Sequence, residues 1–305
     1  MKEWFEKNSA GFSGTLGFDE PLAASTYYRI GGPAAVLAAP KSQEDLEWLS
    51  KGIRETGIPF FLLGLGSNTL VSDSGFDGLV VKMTKLDTSM TPDGGLLRTG
   101  ASVAISSLLR KASTEGWGGL EFLSGVPGSV GGAVFMNAGT HLGETAKALL
   151  RVRVLDLKTG IFSELDRPQL KYEYRKNHFL EAGHLVLGAD WRIEMKDPEQ
   201  VKKVIDETLA RRKASQPIEF PSCGSVFKNP KSSGMHAWQV IEKIGLRGHQ
   251  IGQAQFAEKH CNFIINLGKA TAADVVGLIR LAKSKAQSEL GVTLEEEVRY
   301  LGKFE

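Results

Sequence analysis

The chain has 305 residues, enough for about two domains, and its 42% apolar content is typical of a soluble globular protein. Its 37 lysines and arginines face 35 aspartates and glutamates, and a net charge of +2 excludes a protein that coats the phosphates of nucleic acid. No apolar stretch reaches the ~20 residues of a membrane helix, no signal peptide is recognisable, and two cysteines do not build a disulfide framework. These features predict a cytoplasmic protein without membrane insertion or a nucleic-acid partner.

Caps and apolar periodicity predict five helices. Ser42 begins the first of them and Gly57 ends it, while Thr271 with Asp274 begins the longest, which ends before Gly291. The other three helices are expected within 103–112, 197–209 and 235–244.

Six β-rich stretches lie among these helices, and the one at 151–157 alternates polar and apolar residues as a half-buried strand does. The six stretches cover 59–63, 79–83, 150–157, 161–165, 185–195 and 263–267. Because 120–195 contains mostly strand and loop, the sequence predicts an α+β fold with more than one sheet rather than a regular alternation. The clearest domain boundary falls at 196–198.

Several familiar nucleotide and nucleophile motifs are absent. Thr69 stands where the third glycine of a dinucleotide fingerprint would be, Lys269 lacks the rest of a P-loop, and Pro127 replaces the first glycine of a nucleophile elbow. Neither the histidines nor Cys223 and Cys261 have metal-ligand spacing, so no metal site is expected.

Glycine is unusually abundant, at 35 of 305 residues, and it concentrates in two loops at 63–68 and 124–139. Glycines allow a close approach of backbone N–H groups to a phosphate without any lysine. Tight turns explain either loop alone equally well. Together the two loops favour a nucleotide or flavin site.

Six ordered sequence blocks resemble the UDP-N-acetylenolpyruvoylglucosamine reductase family, also called UDP-N-acetylmuramate dehydrogenases or MurB. The blocks are 27–34 (YYRIGGPA), 63–68, 124–139, 174–175, 224–230 (GSVFKNP) and 294–299 (LEEEVR). The short separation of Arg175 and Ser225 resembles the shorter subtype, which lacks an extra loop that closes over the substrate in longer members.

The resemblance implies a two-subdomain FAD-binding fold of the peroxidase/vanillyl-alcohol-oxidase (PCMH) type. It assigns 1–196 to FAD binding with a division near residue 85, 197–292 to a smaller α/β substrate-binding domain, and 293–305 to a strand returning to the FAD site. It also implies non-covalent FAD, NADPH as co-substrate and a UDP-sugar whose enolpyruvyl group is reduced during synthesis of peptidoglycan precursors.

The resemblance further assigns functional residues by motif. The catalytic residues are Arg175, Ser225 and Glu297. The FAD-binding residues are Arg29, Gly64, Gly66, Ser67, Asn68, Ser124, Gly125, Pro127, Gly128, Ser129, Gly131, Gly132, Asn137 and Ala138. The substrate-binding residues are Tyr174, Arg212, Gln216, Lys228, Asn229 and His260.

The three catalytic residue types suit this reduction. Hydride addition to an enolpyruvyl double bond leaves negative charge on the neighbouring carbon and its carboxylate, which the permanent cation of Arg175 stabilises. Ser225 can deliver the proton, and Glu297 can orient the same end of the substrate.

Simpler interpretations stay open at this point. Arg175 also suits a charged surface loop, Ser225 a turn, and Glu297 a solvated acidic run. Arg212 suits a surface ion pair, and His260 suits a buried structural histidine. Two other functions compete: an oxygen-using sugar or lactone oxidase of the same superfamily, and a nucleotide-sugar-binding protein without catalysis or FAD.

Overall fold

The computed structural model describes residues 1–180, 183–231 and 234–304. The chain divides into two compact units. Unit 1 contains Met1–Phe18, Val36–Leu65 and Gly78–Arg212, and unit 2 contains Asp19–Ala35, Gly66–Asp77 and Lys213–Glu305.

The described ranges contain both helices and strands, which confirms the predicted α+β class. The helices are α1 (Lys2–Lys7), α2 (Gln43–Thr56), α3 (Ile105–Glu115), α4 (Val130–Met136), α5 (Thr145–Ala148), α6 (Pro198–Ser215), α7 (Ala237–Lys243) and α8 (Ala272–Leu290). The strands are β1 (Thr15–Pro21), β2 (Pro33–Ala39), β3 (Phe60–Leu63), β4 (Thr69–Val71), β5 (Phe76–Lys82), β6 (Met90–Asp93), β7 (Leu96–Gly100), β8 (Trp117–Gly118), β9 (Gly139–Thr140), β10 (Gly143–Glu144), β11 (Leu149–Asp156), β12 (Ile161–Asp166), β13 (Tyr172–Glu173), β14 (Lys176–Asn177), β15 (His184–Arg192), β16 (Glu194–Met195), β17 (Ser222–Ser225), β18 (Gln250–Ile251), β19 (Ala254–Phe256), β20 (Phe263–Asn266) and β21 (Arg299–Leu301).

Unit 1 contains most of one sheet and the whole of a second. One has the strand order β1-β2-β5-β3, and the other has the order β12-β11-β15-β7-β6 with antiparallel neighbours. Helix α2 buries Leu46, Leu49 and Ile53 against the first sheet's core, the face that the sequence predicts. Ser42 caps its start and Gly57, at φ 64°, ends it, so this helix is confirmed at both ends.

Unit 2 combines a sheet of order β17-β20-β19-β18 with helices α7 and α8. Strand β21, near the C-terminus, pairs in parallel with β4, which directly follows the first glycine loop. The pairing places Arg299 opposite Thr69 and Leu301 opposite Val71. Residues 299–301 therefore run alongside a segment more than 200 positions earlier in the chain.

The N–H groups at the start of α8 are all satisfied. Thr271 Oγ1 accepts from Asp274 N at 3.1 Å, and the Asp73 carboxylate accepts from Ala272 N and Ala273 N at 2.8 and 3.0 Å. We expect Thr271→Ala to lower the free energy of unfolding by about 1 kcal/mol, because one cap bond is lost. Urea unfolding measures this loss, and Thr271→Ser, which keeps the hydroxyl, should retain nearly all of the stability.

The observed division of the chain differs from the predicted boundary near 197. Helix α6 belongs to unit 1 as far as Arg212, because Val201 and Ile205 pack into the core that contains Trp191. Two early segments, 19–35 and 66–77, belong to unit 2 because residues such as Ile30 and Leu70 pack in its core. In the described ranges, no helix is both long and apolar enough to cross a membrane.

Candidate active site

The two glycine loops meet in unit 1. A Cβ built on Gly64 would lie 3.1 Å from Ser129 Oγ, so the backbone of the first loop closely approaches the start of the second. The second loop is only partly a loop, because Ser129 caps helix α4 by accepting from Gly132 N at 3.4 Å. A Cβ on Gly131 would lie 3.1 Å from Ala101 Cβ, so this glycine serves packing.

Several hydrogen-bonding groups around this junction have no partner within the described ranges. The N–H groups of Gly125, Gly128 and Ser129 donate to no other group there. The buried hydroxyls of Ser124 and Ser102 are also unsatisfied by the described residues. Buried polar groups are nearly always paired, so the two buried serine hydroxyls, with the N–H groups of Ser129 and the half-buried Gly125 and Gly128 beside them, indicate a ligand rich in acceptors. The diphosphate of FAD has that chemistry, and the residues therefore fit the cofactor.

Ser102 is absent from the residues assigned by sequence. It lies in the segment 101–104, whose backbone pairs with the second loop through Val130 N to Val103 O at 2.9 Å and Gly131 N to Ala101 O at 3.0 Å. Nothing in the local sequence marks this serine, because its place beside the loop depends on tertiary pairing.

The first glycine loop continues into unit 2, where Gly66 has φ 68°. A side chain there would overlap the carbonyl of Ser25, so only glycine fits. Asn68 donates from Nδ2 to Glu297 O at 2.9 Å and accepts from Arg299 N at 3.0 Å. A predicted FAD-binding residue and a predicted catalytic residue are thus held together.

Ser225 and Glu297 lie on neighbouring backbone segments of unit 2. Glu297 N donates to Val226 O at 2.8 Å, and Lys228 N donates to Glu295 O at 2.8 Å, so the stretches 225–228 and 295–297 are paired. Both side chains are half-buried. Gly224, at φ 76°, lies within β17 at the register irregularity between Ser222 and Ser225, a backbone conformation that favours glycine. The structure thus brings together two assigned residues that are far apart in sequence.

The predicted substrate-binding residues of unit 2 have different environments. Lys228 Nζ lies 3.6 Å from Glu295 Oε2. Asn229 Oδ1 accepts from Ala237 N at 3.0 Å at the start of α7, and His260 packs edge-on against Phe263. Gln216 Oε1 is buried without a hydrogen-bond partner in the described ranges.

Arg175 lies at the turn of the β13–β14 hairpin in unit 1, and its guanidinium is hydrogen-bonded to backbone carbonyl groups of the same unit. Nη1 donates to Asn137 O at 3.3 Å and Nη2 donates to Gly139 O at 3.0 Å. The guanidinium also lies 5.2 Å from the centre of the Tyr174 ring, which is largely exposed. The surface-loop interpretation of Arg175 therefore does not match its contacts.

Arg212 shares the electrostatic environment of Arg175. Burial lowers the pKa of Arg212, and the positive charge of Arg175 lowers it further. Its Nε is buried without a partner in the described ranges, and the side chain passes so close to Gly125 that a Cβ there would overlap it. No carboxylate among the described residues pairs with Arg212, and two neighbouring guanidinium groups in this arrangement favour binding of an anion.

Left-handed backbone conformations coincide with the assigned residues. Among the described residues, the non-glycine positions with positive φ are Asp19, Arg29, Asn137 and Arg175, at 53°, 56°, 47° and 56°. Three of these four are assigned functional residues. Such conformations cost free energy and concentrate at functional sites, so they support the assignment of Arg29, Asn137 and Arg175.

Asn137 is fully buried and its side-chain amide bonds within unit 1. Nδ2 donates to Glu144 Oε2 at 3.1 Å and to Glu173 O at 3.0 Å, while Oδ1 accepts from Ala146 N at 3.0 Å. Its assignment as an FAD-binding residue stays a prediction. In the described ranges no cluster of histidine, cysteine or acidic side chains is arranged to hold a metal ion.

Comparisons with known proteins agree with these observations. An FAD binding domain matches residues 33–166, and the C-terminal domain of UDP-N-acetylenolpyruvoylglucosamine reductase matches 216–301. The fold and the glycine junction thus define an FAD-containing oxidoreductase.

Relatives with the name UDP-N-acetylenolpyruvoylglucosamine reductase match nearly the whole chain. The one from Pelobacter propionicus is 40% identical over 95% of this chain and 96% of its own length, and the one from Geobacter metallireducens is 39% identical over 98% of both. The crystal structure of UDP-N-acetylenolpyruvylglucosamine reductase (MurB) from Thermus caldophilus superposes with a TM-score of 0.79 at 35% identity, covering 95% of this chain and 99% of that one. The chain belongs to the UDP-N-acetylenolpyruvoylglucosamine reductase family, which confirms the resemblance, the fold class and FAD.

Proposed function

We propose that the protein reduces the enolpyruvyl group of UDP-N-acetylglucosamine-enolpyruvate to give UDP-N-acetylmuramate, with NADPH as the reductant. The observation that carries the proposal is the backbone pairing of the segment after Ser225 with the segment that contains Glu297, through Glu297 N to Val226 O at 2.8 Å, in a chain that matches reductases of this name over nearly its whole length. The reaction belongs to peptidoglycan precursor synthesis. A cytoplasmic location is part of the proposal, and the two buried free cysteines suit a reducing compartment.

In this proposal the N–H groups of Gly125, Gly128 and Ser129 hold FAD in unit 1, and Asn68 and Arg29 keep their assignment as FAD-binding residues. FAD bound there would supply hydride transfer between NADPH and the substrate. A Cβ at Gly64 would lie only 3.1 Å from Ser129 Oγ, so the glycine allows the two loops to approach closely at this point.

The catalytic residues act on the charge and the proton that the reduction creates. Arg175 stabilises the negative charge that develops on the substrate's carboxylate and adjacent carbon. Ser225 gives its hydroxyl proton to that carbon, and Glu297 orients the same end of the substrate. An alcohol suits this step because the carbon that receives the proton is strongly basic once hydride has been added.

The remaining assigned residues bind the nucleotide sugar. The guanidinium of Arg212 is positively charged and has no ion-pair partner in the described ranges. We therefore assign Arg212 to binding of the substrate's diphosphate or carboxylate. Gln216, Lys228, Asn229 and His260 supply polar contacts from the predicted substrate-binding stretch 197–292, and Tyr174 contributes beside Arg175.

A spectrum and an oxidation assay test the proposed reaction. We expect the purified protein to show flavin absorption and to oxidise NADPH steadily only when the enolpyruvyl sugar nucleotide is present. An oxygen-using oxidase would consume oxygen without that substrate, and a colourless protein that does not take up FAD would indicate a silent binding protein. NADH in place of NADPH serves as the matched comparison for the reductant.

A further inference from the structure

The C-terminal end of α4 is held by side chains of the β13–β14 hairpin. Tyr172 donates its hydroxyl to Val134 O at 2.8 Å, and Asn177 donates from Nδ2 to Phe135 O at 2.7 Å. Carbonyl groups at a helix C-terminus lack partners within the helix and carry partial negative charge. The hairpin is therefore hydrogen-bonded to carbonyl groups at the C-terminal end of this short helix.

The residue that follows α4 also bonds to the hairpin, close to its turn. Asn137, the residue after α4, donates to the carbonyl of Glu173, which immediately precedes the hairpin turn, and its own carbonyl accepts from Arg175. We call Tyr172, Asn177 and Asn137 the clasp. Each of its three side chains bonds across the junction of helix and hairpin, so the turn that carries Arg175 is fixed at both of its strands.

The turn needs such support because its backbone is strained. Arg175 has φ 56°, and a left-handed conformation persists in a long side-chain residue such as arginine only where the surroundings determine it. Burial raises the pKa of Tyr172, so its hydroxyl keeps the proton that it donates to Val134. The ring of Tyr172 also packs edge-on against Phe179 at 4.9 Å between centres.

We propose that Tyr172, Asn177 and Asn137 are positioning residues that fix the guanidinium of Arg175 for catalysis. The inference rests on the proposed function, in which Arg175 stabilises developing negative charge. A cation that acts on a transition state must be placed within a fraction of an ångström, and small misplacements cost rate rather than binding. The clasp supplies this placement from residues that need not touch the substrate.

Tyr172→Phe is the primary test, because it removes one hydroxyl and keeps the ring packed on Phe179. We expect kcat for sugar reduction to fall about 5- to 20-fold, while KM for NADPH and the rate of flavin reduction by NADPH stay unchanged. Asn177→Asp is the second variant, since it keeps the acceptor for Leu180 N at 3.1 Å but loses the donor to Phe135. His178→Ala, which removes only an exposed contact to Glu173, is the control and should keep the parental kcat.

A double-mutant cycle with Arg175→Met separates positioning from general destabilisation. If the clasp acts through Arg175, then Tyr172→Phe should change kcat less than about twofold in the Arg175→Met background. An equal loss in both backgrounds, or no loss in the parent, would overturn the proposal. If Arg175→Met itself leaves kcat unchanged, the proposed function of Arg175 fails, and the clasp then has no catalytic group to position.

Discussion

Replacement of Ser225 by alanine should abolish nearly all product formation while leaving the flavin reducible by NADPH. Hydride transfer to the flavin needs no proton from the protein at this position, whereas completion of the lactyl ether does. The loss of a general acid lowers turnover about 10²- to 10⁴-fold. Stopped-flow absorption measures flavin reduction by NADPH, and steady-state assays with the enolpyruvyl sugar nucleotide measure overall turnover.

Ser222→Ala provides the matched control for this experiment. Ser222 lies in the same strand as Ser225, is similarly half-buried, and pairs through its backbone with Ile265. Its replacement should therefore report any disturbance of β17 without removing the proton donor. Equal turnover in Ser225→Ala and the parent would exclude the serine as the acid, and equal losses in the two alanine variants would assign the effect to the strand.

Local sequence signals are sufficient to predict a helix when the residues that cap it directly adjoin its two ends. Helix α8 begins at Thr271, with Asp274 completing the capping box, and ends at Gly291 in the left-handed conformation, as its sequence predicts. Helix α4 was missed, because Gly131 and Gly132 disfavour a helix locally. Its formation depends on pairing with residues 101–105, which no local pattern reveals.

The candidate site was predictable only through the resemblance to a family. The run Lys171–Lys176 favours an exposed loop, and the acceptors that hold Arg175 lie 36 and 38 positions earlier in the chain. Ser225 and Glu297 are likewise joined by backbone pairing between remote segments. The individual serine and glutamate carry no signal of this pairing, whereas ordered blocks spread over the chain do. The resemblance does not identify every residue near the site: Ser102 belongs to none of the six sequence blocks.

Arg175→Met should lower turnover about 10²- to 10³-fold with flavin reduction by NADPH retained, because the variant loses the charge that stabilises the developing anion. The turnover of Arg175→Lys should lie between those of the parent and of Arg175→Met. A lysine keeps the positive charge but has a single ammonium group, which does not reproduce the paired bonds from Nη1 and Nη2 to Asn137 O and Gly139 O. Single-turnover oxidation of the pre-reduced flavin by the enolpyruvyl sugar nucleotide measures the affected step directly.

Lys176→Ala controls for the loss of one positive charge beside the turn, because Lys176 is exposed and adjacent to Arg175. Lys176→Ala should keep the parental turnover, since a charge that is exposed to water is screened and adds little to the stabilisation of the developing anion. Thermal unfolding of all three variants accounts for the two carbonyl bonds that the methionine also removes. If Lys176→Ala and Arg175→Met lose activity equally, a general electrostatic attraction of the anionic substrate replaces a specific role of Arg175. A large loss confined to Arg175→Met, with Arg175→Lys intermediate, requires a cation held at this one position.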